Sequence, residues 1–237
     1  MRPRLVLITA AATLVASVAL SCGDGDGGEG TPVALPPGDE VLADAVAAVD
    51  TMKTFHFRLE HENGASRIPL DLDLVTAEGN VVVPDRLWAR LEARAGRQTV
   101  RVEVIGIGDE GWITNPFNRQ WQPLPSGTTI KDVFDPAQGV KVVADSLVAP
   151  QVTGEEEVDG VPSYVLEGTV ASEVLEAAAP IAEPGFTIRV RAWVGKDDSL
   201  MRRIYLEGPI AADEPQDIVR KLHISRYNEP VTVTPPP

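Results

Sequence analysis

Phe55-His56-Phe57-Arg58-Leu59-Glu60 alternates apolar and polar side chains one for one. A period of two puts Phe55, Phe57 and Leu59 on one face of a strand and His56, Arg58 and Glu60 on the other. Asn63-Gly64 just beyond is a tight-turn signal. On the returning side Leu70, Leu72 and Leu74 alternate with Asp71 and Asp73. The pattern carries on through Val81 and Val83, through Leu87, Ala89 and Leu91, and through Val100, Val102 and Val104. Trp112-Ile113 and Trp121 follow around an Asn115-Pro116 turn. This predicts a long antiparallel meander with one apolar and one wet face.

On either side of the meander the periodicity changes. Asp39 can cap a helix in which Leu42, Ala45, Val46, Val49 and Met52 recur at helical spacing. Asp135-Pro136 offers a second cap and a first-turn proline, leading into Val140, Val143 and Leu147. Strands resume from Val152 to Val158, turn at Asp159-Gly160 and return through Tyr164 and Leu166. Residues 172–179 predict a short helix closed by Pro180. Ile188, Val190, Ala192 and Val194 then alternate with Arg189, Arg191 and Trp193, and Ile204, Leu206, Leu222 and Ile224 complete the strands. The class is α+β: a large curved antiparallel sheet whose few helices cover the apolar face.

The N-terminus reads as an address. Arg2 and Arg4 precede an uncharged apolar run, Leu5 to Leu20, and Ala19-Leu20-Ser21 leads to Cys22, the single cysteine of the 237 residues. That is the layout of a lipoprotein signal peptide over 1–21. Leucine and the small residue stand in swapped order relative to the usual lipobox. An ordinary secretory signal and a retained membrane helix remain open, although a spanning helix wants about 20 apolar residues. If cleaved there, Cys22 carries the acyl chains, with palmitate among them, and two or more chains hold a protein stably at a membrane. Residues 22–37 read as a disordered tether, 38–228 as the folded domain and 229–237, ending in three prolines, as a disordered tail.

Charge excludes several functions. The net formal charge is -14, and loss of Arg2 and Arg4 with the signal would make the mature chain more acidic still. Nucleic acid and anionic lipid headgroups both call for a basic surface, so no nucleic-acid partner and no electrostatic attachment to a membrane are expected. With one cysteine there is no intramolecular disulfide and no thiolate zinc cluster. Nothing calls for oligomerisation, and a monomer is expected.

Chemical motifs are few. Gly23, Gly25 and Gly28, and again Gly106, Gly108 and Gly111, match the glycine spacing of a dinucleotide site. That fingerprint works only where a helix N-terminus receives the pyrophosphate, and Trp112 to Pro116 reads as strand and turn, so a hairpin loop explains the second set. Asp24 and Asp26 resemble the start of a calcium loop, but its twelfth position is Leu35. His56, His61 and His223 form no metal-binding pair, and Glu155-Glu156-Glu157 reads as a solvated charge run. No G-x-S-x-G elbow occurs. No catalytic, metal or cofactor site emerges, although carboxylate pairs of the glycosidase kind stay open because nothing in the spacing selects one.

Several blocks together resemble one family. They are Met52-Lys53-Thr54-Phe55-His56-Phe57, Ala77-Glu78-Gly79-Asn80-Val81-Val82 with Pro84-Asp85-Arg86-Leu87, and Trp112-Ile113-Thr114-Asn115-Pro116-Phe117 with Trp121. Phe134-Asp135-Pro136, the stretch from Gly154 to Pro162, and Trp193-Val194-Gly195-Lys196-Asp197 continue the match. In this order they resemble the LppX/LprA/LprF/LprG family of bacterial envelope lipoproteins. The resemblance implies a half-open antiparallel barrel like those of the LolA/LolB carriers, wrapped around helices and enclosing an apolar cavity for multi-acyl lipids. It implies no enzymatic activity and no cofactor. The partners it implies are diacyl or triacyl lipids or glycolipids, the membrane that the Cys22 anchor enters on its extracytoplasmic face, and a lipid exporter in that membrane. Strand alternation nominates Phe55, Phe57, Leu59, Leu70, Leu72, Leu74, Val81, Val83, Leu87 and Leu91 as cavity-lining residues. The rival expectation is an envelope lipoprotein with a vestigial cavity that acts by contacting proteins.

Overall fold

The computed structural model describes residues 34–68, 72–126, 128–133 and 135–237. The signal segment, Cys22, the glycine and aspartate motifs before Gly30, Leu70 and Phe134 lie outside the described residues.

Twelve strands form one antiparallel sheet that does not close. In chain order they are β1 Thr54–Glu62, β2 Ser66–Ile68, β3 Leu72–Val82, β4 Arg86–Ala95, β5 Gln98–Ile107, β6 Glu110–Thr114, β7 Trp121–Pro123, β8 Val148–Val158, β9 Val161–Ala171, β10 Thr187–Gly195, β11 Met201–Glu207 and β12 Val219–Ser225. The spatial order is β7-β6-β5-β4-β3-β1-β12-β11-β10-β9-β8, with β2 paired only to β3. Two hairpin meanders are thus zipped together by the first and last long strands. Phe57 sits opposite Ile224 and Leu59 opposite Leu222 in that seam.

Three helices cover the apolar face: α1 Gly38–Val49, α2 Ile130–Val133 and α3 Pro136–Ser146. In α1, Val41, Ala45 and Val49 are buried at four-residue spacing, with Leu42 and Val46 half-buried beside them. Asp39, expected as its cap, lies in the first turn instead, and Pro37 holds the cap position without a side-chain bond. The helix starts early because Gly38 lies against β8: a Cβ there would stand 2.1 Å from the Pro150 carbonyl oxygen. Asp39 and Glu40 still complement the positive end of the helix dipole. For α3 the expected cap is present, the Asp135 carboxylate accepting the Gln138 N–H at 2.9 Å with Pro136 in the first turn. The segment 172–177 is a 3₁₀ helix packed on α3 and β9.

The hairpin reading of Gly106 to Gly111 holds, and the glycines have a packing use. Gly106 and Gly111 face each other across β5 and β6, and Gly108 turns with φ +59°. A Cβ on Gly106 would lie 1.9 Å from Cγ2 of Ile130, and one on Gly111 2.5 Å from Cδ1 of Leu124. Bare backbone here is the seat on which α2 docks.

The outer face departs from the expectation of being uniformly wet. Trp193, Val158 and Val165 are buried there with Tyr205 packed against them. The Trp193 and Tyr205 rings meet edge-on at 4.7 Å, and the indole N–H donates to Glu156 Oε2 at 2.8 Å. Glu155 pairs with Lys196, so two of the three glutamates read as a solvated run have fixed partners.

The tail from Glu229 was expected to be unstructured; it forms no helix or strand, yet it is held. Thr54 Oγ1 donates to the Glu229 carbonyl at 2.6 Å, Arg86 donates to the Val233 carbonyl at 3.3 Å, and Val233 is buried. Among the described residues every core residue lies between Val41 and Val233, and residues 35–237 form one compact unit with a core of their own.

Candidate lipid-binding cavity

A cavity of about 120 Å³ lies between the sheet and the α3 side of the cover. The sheet contributes Leu59 from β1, Ile68 from β2, Leu74 from β3, Ile204 and Leu206 from β11 and Leu222 from β12. The cover contributes Val133 of α2, Pro136, Gly139 and Val143 of α3, Leu175, and the loop residues 178–181 and Ile210. The walls are almost wholly apolar. Such a void stays dry and favours hydrocarbon.

The polar groups that reach the wall are already engaged. Arg220 donates from Nε to Ser66 Oγ at 2.9 Å and from Nη1 to the Gly208 carbonyl at 3.2 Å, and its Nη2 pairs with Glu214. The second oxygen of Glu214 accepts the Ile210 N–H at 2.8 Å. Ser66 Oγ also lies 2.8 Å from His61 Nε2, while His61 Nδ1 lies 3.0 Å from the Val75 carbonyl. A carbonyl only accepts, so Nδ1 carries the proton and Nε2 accepts from Ser66, which defines a neutral imidazole. Burial, reinforced by the nearby Arg220 charge, brings the His61 pKa down to about 4 against the pull of the Val75 hydrogen bond. Asp135 is spent on capping α3, and Arg67 lies 3.9 Å from Asp73. The wall therefore offers no free charge to a guest.

Two loops form the roof and are tied together. Ser172 Oγ donates to the Glu183 carbonyl at 2.6 Å and accepts the Phe186 N–H at 3.0 Å. Glu183 N–H donates to the Ile210 carbonyl at 2.7 Å, and its carboxylate accepts the Ala212 N–H at 2.9 Å. The Glu214–Arg220 pair then fixes the second loop to β12.

Of the ten nominated residues, Leu59 and Leu74 line this cavity. Phe55, Phe57, Val81, Leu87 and Leu91 are buried in the close-packed core, where Phe55 also lies 6.4 Å from the Tyr227 ring, and Val83 packs half-buried against it. Leu72 lines a separate groove, and Leu70 is outside the described residues. Alternation marks a face of the sheet; it does not mark which part of that face the helices fill. Leu222, Ile204 and Leu206 were visible as strand residues, but only the β1–β12 seam brings them beside Leu59. The loop residues of the roof carry no periodic signal at all.

Among the described residues no group of three His, Cys, Asp or Glu side chains is placed to hold a metal ion, and no helix is long and apolar enough to cross a membrane. The family model of the LppX_LprAFG lipoproteins matches residues 38–233, nearly all of the unit just described. The chain belongs to the LppX_LprAFG lipoprotein family. Its fold is shared by solved structures. LprF from Mycobacterium bovis is 14% identical, with a TM-score of 0.66, over 84% of this chain and 98% of that one. Lipoprotein LppX of Mycobacterium tuberculosis is 19% identical, with a TM-score of 0.60, over 83% and 99% of the two chains. No curated protein matches the sequence.

Proposed function

We propose that the protein binds the acyl chains of envelope lipids in the cavity beneath α3 and carries them while tethered through an acylated Cys22 to the extracytoplasmic face of the membrane. The observation that carries the reading is an apolar cavity whose every polar neighbour is engaged internally. Family membership supports it. Each ligand methylene transferred from water to such a wall gains about 0.8 kcal/mol, so chain length supplies affinity and no charged clamp is required.

The cavity volume of about 120 Å³ falls short of the roughly 300–1,000 Å³ of pockets that enclose whole small ligands. A diacyl or triacyl lipid therefore enters only when the two roof loops part, and their ties through Glu183 and Glu214 are the bonds that must open. Native mass spectrometry with lipid extraction, on protein purified from a lipid-producing host, tests this. Stoichiometric acyl lipid is the expected result. A stable domain that stays empty and takes up no diacyl or triacyl lipid would overturn it, and would leave the small cavity as the mark of an envelope lipoprotein acting through protein contacts.

A further inference from the structure

The β6–β7 turn carries Phe117, which is 83% exposed, the largest exposure among the large apolar residues described. It is not a loose side chain on a floppy loop. Asn115 Oδ1 accepts the N–H groups of Phe117 at 2.9 Å and Asn118 at 3.3 Å, and the Arg119 N–H donates to the Asn115 carbonyl at 2.9 Å. The turn thus presents the ring outward on a fixed base.

Phe117 shares a surface groove with Arg119, Arg101, Gln98 and Thr99. Arg94 stands opposite Thr99 in the β4–β5 register, and Arg97 occupies the turn between those strands. Arg101 pairs with Glu92 and Arg90 with Glu103. Arg94, Arg97 and Arg119 make no ion pair among the described residues. In a chain of net charge -14, the five arginines of this rim (Arg90, Arg94, Arg97, Arg101 and Arg119) outnumber its carboxylates, Glu92, Glu103 and Asp73, the last opposite Arg94, around an exposed aromatic ring.

The rim also adjoins the cavity. Ile68 and Leu72 are register partners in β2 and β3; Ile68 lines the cavity, and Leu72 lines a groove that runs by way of Ala95 and Pro116 to Phe117.

We propose that this rim docks on an anionic membrane surface, Phe117 entering the headgroup boundary while Arg94, Arg97 and Arg119 contact lipid phosphates. The charge complementarity is specific: the rest of the acidic protein is repelled by such a surface, so the field orients the rim toward it. Phenylalanine, with tryptophan and leucine, is among the side chains that membrane-surface segments bury at that boundary. The docking does not depend on the cavity reading, although it would hold the cavity end of the sheet at the membrane.

Co-sedimentation of residues 35–237, which close their own core, with vesicles of phosphatidylglycerol in phosphatidylcholine tests the proposal. The expected result is binding that falls about tenfold for Phe117→Ala and roughly fivefold per arginine in R94Q, R97Q and R119Q. It should weaken with salt, as screening over about 10 Å at 0.1 M requires, and be absent on pure phosphatidylcholine. All four side chains are outside the core, so circular dichroism should show each variant folded. Binding indifferent to these substitutions, or none to the anionic vesicles, overturns the proposal. Self-association lost in Phe117→Ala, without vesicle binding, would place a second copy on the rim and equally overturn it. Acyl-lipid content of the same variants reads the cavity separately: an empty cavity with intact vesicle binding defeats the proposed function alone.

Discussion

Arg220 and Glu214 form an ion pair whose side chains are 8% and 4% exposed, tying the second roof loop to β12 at the cavity wall. Buried pairs are poor stabilisers as pairs but costly to break singly, because the remaining charge is stranded. Glu214→Gln should destabilise the protein by about 3 kcal/mol in urea unfolding, whereas replacement of both residues by Leu and Met should cost much less. If the pair is the latch of the roof, exchange of a fluorescent fatty acyl probe should be faster in the double variant than in the parent. Equal exchange rates would reduce Glu214 and Arg220 to a purely structural role.

His61 makes stability depend on pH. Its folded pKa of about 4 lies below the ordinary value of 6.5, so the unfolded chain takes up a proton that the fold refuses. The contribution is complete above pH 6.5 and is lost as pH falls towards 4, amounting to about 3 kcal/mol at the low end. Urea midpoints for the wild type and His61→Gln, measured between those limits, should converge as pH drops. Parallel curves would mean that the imidazole takes up its proton as readily in the fold as in the unfolded chain.

Gly139 faces the cavity from α3, and a Cβ there would meet only Ala178 Cβ, at an ordinary 3.7 Å. Gly139→Ala should stabilise α3 by about 0.8 kcal/mol through helix propensity. Gly139→Phe should fill the cavity and abolish co-purifying acyl lipid while the protein remains folded. Undiminished lipid in that variant would place the ligand elsewhere.

Ile130 seats α2 on the bare backbone of Gly106. Gly106→Ala should cost about 2 kcal/mol by overpacking. Adding Ile130→Ala should cost less than the sum of the two single changes, the non-additivity expected of residues in contact. Simple additivity in thermal or urea unfolding would mean that the two residues do not touch.

Much of the fold could be read directly because half-buried strands write their faces into the chain. Phe55-His56-Phe57, Leu87 to Leu91 and Val100 to Val104 are strands with the faces their alternation implies, and Asp135-Pro136 starts a helix as its chemistry requires. The hairpin expected at Asn63-Gly64 does not form: Leu72 and Leu74 lie opposite Ile68 and Ser66 of β2, and β1 pairs with the far end of β3, Phe57 opposite Gly79. Trp193 was less legible: it sits on the polar side of its alternation, and only Val158, Val165, Tyr205 and Glu156 from neighbouring strands make its place dry. Val233 likewise sits within a proline-rich tail whose composition lacks the means to form a core of its own, and it is buried in one built by others.

Local pattern therefore determined most of the strands, though not the short β2, together with two of the helices, the acidic surface and the family, since each depends on residues close in sequence or on their order. The tertiary structure decided where a cavity remains. Leu59 and Leu74 border space while Phe55 and Phe57 do not, although all four are apolar members of alternating strands. The difference arises from what α1, α3 and the loops around Ile181 and Ile210 lay over each part of the sheet. Packing between segments separated by more than a hundred residues leaves no trace in the period of any one of them.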